Sequence, residues 1–74
     1  MSHKARLILE YSELKTRIAK LDRILMLERL GELDFTLSVP RRVLEEQIYY
    51  MNEYLKILEK RCNVEIYGYD WDEL

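Results

Sequence analysis

Histidine, cysteine, proline and phenylalanine each occur once in the 74 residues, and glycine only twice. Each scarcity closes off a class of protein. A lone cysteine, Cys62, cannot form an internal disulfide and has no second thiol with which to share a metal, which fits a reducing compartment. A lone histidine, His3, stands near the N-terminus with no cysteine or carboxylate cluster beside it, so neither a metal centre nor a nucleophile triad is expected. The expectation is a protein that is not an enzyme and uses no cofactor. Gly31 and Gly68 are too far apart to make a phosphate loop. No apolar run approaches 18 residues, and the basic "SHKAR" start is followed only by "LIL", too short for a signal-peptide core. A soluble, cytoplasmic chain without a membrane partner is expected.

Positive charge is also in short supply. Net charge is −2 at pH 7, with seven Lys/Arg against four acids in residues 1–30 and five against ten in residues 31–74. That balance is too weak for duplex nucleic acid, whose binding rests on a concentrated basic stripe. A chain this short forms one domain, near the size where a single core barely offsets chain entropy unless something else helps. With disulfide and metal set aside, self-association is the remaining help.

What is present is helical text. Between Ser2 and Leu30 there is no Pro or Gly, and Leu7, Tyr11, Leu14, Ile18, Leu21 and Leu25 recur at alternating spacings of four and three. That spacing is a heptad seam and predicts a helix over 2–30, with Ser2 as N-cap and Gly31 as the exit. The stretch 31–38, "GELDFTLS", reads as a turn whose Phe35 and Leu37 plug the end of a hairpin. Ser38 is the expected N-cap of a second helix over 39–62, with Pro40 in its first turn and Asn63 ending it. Leu44, Ile48, Met51, Leu55, Leu58 and Cys62 repeat the seam, so Cys62 is read as a buried structural thiol. The fold class is all-α: an antiparallel two-helix hairpin with a short, extended, aromatic C-terminal tail over 63–74, assembled as a homo-oligomer.

The case for assembly is a second stripe. Val43, Gln47, Tyr50, Tyr54, Ile57 and Arg61 follow the seam's rhythm one position earlier, about 100° around the axis, where one antiparallel neighbour cannot cover them. A second copy would cover them, with closed symmetry duplicating any site at the interface. In the tail, "VEIYGYDWDEL", an extended backbone puts Tyr67, Tyr69 and Trp71 on one face. These three are the partner-binding candidates, and packing back onto the hairpin is the plainer alternative.

Two arginines open the second helix, where the helix dipole disfavours positive charge. Arg41 and Arg42 either pair with Glu45 and Glu46 at i,i+4, helped by Glu32 or Asp34, or they seat an anion such as a phosphate. Tyr50 and Tyr54 would stack on a base. Lys20 and Arg23, one turn apart on the first helix, join such a site only if a neighbouring chain brings its second helix alongside. Arg41, Arg42, Tyr50, Tyr54, Lys20 and Arg23 are thus the ligand-binding candidates.

The texts "EYxELKxRIxKLD" and "QxxxMxxYLxILxxR", joined by a turn ending in "LSVP", resemble short helical-hairpin proteins of tailed phages, including crAss-like phages, over about three quarters of the chain. These are similar in layout to phage anti-defence proteins that act as sponges for the cyclic oligonucleotides or ADP-ribose-derived signals of CBASS and Thoeris immunity. The resemblance implies binding without turnover, in pockets at chain interfaces, by aromatic stacking and basic contacts to phosphate. Two features depart from it: arginines where acids are commoner after the proline, and the aromatic, acidic tail. A different expectation from the same residues is a module that inhibits a host protein through the second helix or the tail.

Overall fold

The computed structural model describes residues 1–70 and 72, which form two α-helices, α1 (His3–Arg29) and α2 (Arg41–Glu65), packed as a hairpin. Among the described residues there is no strand.

Both ends of α1 are closed by the residues the sequence marks. Ser2 is extended (φ −70°, ψ 161°), and its hydroxyl accepts the Ala5 N–H at 3.1 Å. At the far end Gly31 adopts φ +72°. Its N–H reaches the Glu28 carbonyl at 3.1 Å, and the Glu32 N–H reaches Leu27 at 2.9 Å. This pair of bonds satisfies carbonyls the helix would otherwise leave open, and it needs a residue without Cβ strain at the reversal.

α2 departs from expectation at both ends. It starts at Arg41, not residue 39, and its capping residue is Pro40 instead of Ser38, with no side-chain cap. The proline ring forces Val39 out of helical conformation, so the helix can begin only after it. The first bond of α2 runs from the Val43 N–H to the Pro40 carbonyl at 3.0 Å. At the other end the helix continues through Asn63 to Glu65, three residues beyond the expected stop. Asn63 tolerates helix, whereas Gly68 at φ +73° provides the true reversal. The Gly68 N–H bonds Val64 at 3.2 Å and the Tyr69 N–H bonds Asn63 at 3.0 Å. The tail expected to extend from residue 63 therefore begins as helix and bends sharply at 66–68. Of its three aromatics, Trp71 lies outside the described residues.

The seams meet as their spacing requires. Leu7, Leu14, Ile18 and Leu58 form a buried cluster against which Tyr11, Ile48, Met51, Leu55 and Cys62 pack. Leu25 is also buried nearer the turn. Leu33 and Leu37 are half-buried beneath the turn, but Phe35, expected as a plug, is exposed. The loop is long enough for two leucines to fill the space at the hairpin's end. Cys62 is half-buried, and burial pushes its thiol pKa up, so it stays protonated.

Among the described residues five apolar side chains are buried, which makes a small core, and the shape agrees. The molecule measures 46 × 27 × 17 Å with a Cα radius of gyration of 15.7 Å. A compact chain of this length would have a radius near about 11 Å. It exposes 5884 Å², against about 4,900 Å² for a compact monomer of its mass. No helix among the described residues is long and apolar enough to cross a membrane.

Candidate ligand-binding face

The second stripe of α2 is open. Val43, Tyr50, Tyr54 and Ile57 are 41, 62, 43 and 50% exposed, and Tyr49 packs edge-on against Tyr50 with ring centroids 5.2 Å apart. Tyr54 is fixed in place because its hydroxyl donates to Glu10 of α1, and that bond, with some burial, raises its pKa. Its one O–H donor is thereby spent. What Tyr54 offers a ligand is its ring and the acceptor capacity left on its oxygen.

Beside this stripe the two helices leave a groove lined by Arg17, Lys20, Leu21 and Ile24 of α1 and Gln47 and Met51 of α2, with a volume of about 310 Å³. Gln47 belongs to the tyrosine stripe, so one chain brings Lys20 to that face by itself. Arg17 joins it, three positions earlier and one turn away. The sequence signal for Arg17 was available, since it flanks the α1 seam on the same side as Glu10. Arg23 is exposed and turned about 200° from Leu25, away from α2.

Arg41 and Arg42 are placed differently. Arg41 is half-buried across the turn end, where its Nε donates to Glu45 at 2.7 Å and its Nη1 donates to the Leu25 carbonyl at 2.8 Å and to Glu28. Burial pulls its pKa down, but the bonds to Glu28 and Glu45 outweigh this and leave it raised. Arg41 thus ties the start of α2 to the end of α1. The partner from α1 is Glu28, not Glu32 or Asp34. Nine positions separate Arg41 from Tyr50, which is half a revolution and about 13 Å along the axis. A single chain therefore does not bring Arg41 to the tyrosines. Arg42 is exposed and takes part in none of the ion pairs among the described residues.

At the other end of the hairpin His3 donates to Glu65, which also accepts from Arg61 Nε at 3.1 Å. Tyr67 and Tyr69 are 70 and 55% exposed, with centroids 6.3 Å apart. Among the described residues no group of His, Cys, Asp and Glu is placed to hold a metal ion.

The Sequestin family model matches residues 1–64. The chain belongs to the Sequestin family. No curated protein and no solved structure matches it. The family name fits a protein that sequesters something, and the match spans both helices almost entirely. Arg17, Lys20, Gln47, Tyr50 and Tyr54 all fall inside the Sequestin match, whereas Tyr67, Tyr69 and Trp71 follow it.

Proposed function

We propose that this Sequestin hairpin captures a small phosphorylated nucleotide signal, of the cyclic oligonucleotide or cyclic ADP-ribose type, and holds it unchanged at a face completed by a second copy of the chain. In a phage-infected cell this would withdraw an immune signal from its receptor. The observation that carries the reading is the exposed stripe Val43, Tyr50, Tyr54 and Ile57 lying beside the Arg17 and Lys20 groove. Aromatic faces suit bases, guanidinium and ammonium groups suit phosphates, and an apolar border drives the copies together. Arg41 is already held by two carboxylates, so the phosphate contacts are assigned first to Arg17 and Lys20, with Arg42 available from a neighbouring copy.

A calorimetric panel of cyclic di- and trinucleotides and cyclic ADP-ribose isomers tests this. Each exposed charge contributes at most about 1 kcal/mol, or about fivefold, so loss of the Arg17 and Lys20 contacts in Arg17→Glu with Lys20→Glu is expected to weaken binding by up to about 25-fold. Silence across the panel, or an unchanged double variant, removes the reading.

The exposure of Tyr67 and Tyr69 favours a second reading, in which the tail docks on a host protein. Removing residues 66–74 separates the two: ligand capture should survive while inhibition of a host protein is lost.

A further inference from the structure

A second cavity lies at the open end of the hairpin, on the side away from the tyrosine stripe. It is lined by Ile8, Tyr11 and Ser12 of α1, Glu59, Cys62 and Asn63 of α2, and Ile66 and Tyr67 of the turn that follows. Asn63 is nine positions on from Tyr54, half a revolution around the helix. The cavity measures about 400 Å³, within the roughly 300–1,000 Å³ range of small-molecule sites.

Its walls are built by identifiable local structure. Tyr11 is half-buried against the core, and the Lys15 ammonium sits 5.7 Å from its ring centroid, which steadies the ring. Tyr67 is brought over the cavity because Gly68 reverses the chain, with the Tyr69 N–H tied to the Asn63 carbonyl. Glu59 and Asn63 are four positions apart, so their side chains stand on one face of α2. The Asn63 carboxamide, the Ser12 hydroxyl and the Glu59 carboxylate are drawn into none of the side-chain hydrogen bonds found among the described residues. Glu59 is in none of the ion pairs either. The cavity thus offers two aromatic rings, a bidentate acceptor and an amide that both donates and accepts.

We propose that this cavity binds a guanine base, with Tyr11 and Tyr67 against its ring, Glu59 accepting from its N1–H and 2-amino group, and Asn63 bonding its O6 and N7 edge. The chemistry selects among planar ligands. Phosphate is repelled by Glu59. Adenine presents a lone pair at N1 where guanine presents a donor, so Glu59 opposes it. An alkylammonium ion would satisfy the rings and the carboxylate but offers no acceptor to the Asn63 amide N–H. The proposal stands apart from the nucleotide-capture face proposed above, because it uses the opposite side of the hairpin and shares no residue with that face; only the tail reading also draws on Tyr67.

Guanosine, which carries the base without phosphate, is the probe. Titrated into the full chain by calorimetry, it should bind saturably, with adenosine at least about tenfold weaker. Glu59→Gln should lower guanosine affinity about tenfold while leaving the circular dichroism unchanged, since Glu59 is exposed and outside the core. Tyr67→Ala should weaken it as well, and Arg17→Glu with Lys20→Glu should leave it intact. No saturable heat with guanosine, equal binding of adenosine, or indifference to Glu59→Gln would overturn the proposal. Guanosine binding together with silence across the cyclic nucleotide panel would sustain it and remove the sponge reading instead.

Discussion

Replacing Ile57 with aspartate probes whether the open stripe is covered by a second chain. Full burial of an isoleucine side chain contributes about 1.5–3 kcal/mol, and Ile57 is 50% exposed in the single hairpin. Covering the rest therefore contributes about 1 kcal/mol per chain, and a two-fold interface uses the residue twice, giving about 2 kcal/mol. An aspartate there also loses water beside its own copy, which adds a few kcal/mol of cost. The total of at least about 4 kcal/mol corresponds to roughly a thousandfold in the association constant. Sedimentation velocity across a micromolar to millimolar series reads this directly. Wild type is expected as an assembly and Ile57→Asp as a single 9.1 kDa chain. Helix content should be retained, since Ile57 is outside the core cluster. Equal sedimentation of the two proteins, or a monomeric wild type, would refute the reasoning.

The remaining predictions concern stability and the open end. Leu58 is completely buried among Leu7, Leu14 and Ile18, so Leu58→Ala should cost about 3 kcal/mol and lower the melting temperature by about 12–24 °C; a smaller loss in calorimetric melts would show that the seam is loosely packed. The Glu65 carboxyl is held below its usual pKa by the bond from His3, which outweighs burial, and then by Arg61. Its contribution is therefore present above the ordinary carboxylate value and lost as pH falls through the lower, folded value. Thermal melts should show Glu65→Gln less stable than wild type at pH 7, with the gap closing in strong acid. Gly68→Ala meets no atom within 4 Å but must hold φ +73°, a strain of about 1–2 kcal/mol. It should open the turn, weaken guanosine binding about 5- to 30-fold and leave the melting temperature nearly unchanged.

Periodicity made the helices legible. The four-three spacings of Leu7 to Leu25 and of Leu44 to Cys62 specify two seams, and Ser2 and Gly31 mark ends that depend only on local chemistry. The open stripe was equally legible, because its offset from the seam follows from 100° per residue. The end of α2 was not, since Asn63 is compatible with both helix and stop, and the stronger reversal at Gly68 lies five residues on. Nor was the Arg41 bond to Glu28 legible, because it joins positions 13 apart that meet only after the turn folds α2 back. The half-revolution between Arg41 and Tyr50 could have been counted from the sequence. The open-end cavity could not, since it draws Tyr11 from one end of the chain and Asn63 and Tyr67 from the other.

Capture without turnover is tested most directly by recovery. Purified protein is mixed in molar excess with each cyclic nucleotide, the free pool is measured by filtration, the protein is then heat-denatured, and the released compound is identified by mass spectrometry. The account predicts that one signal disappears from the filtrate and returns at full yield with its mass and retention time unchanged. A filtrate that never loses any signal, or a released compound that has been cleaved, would contradict it.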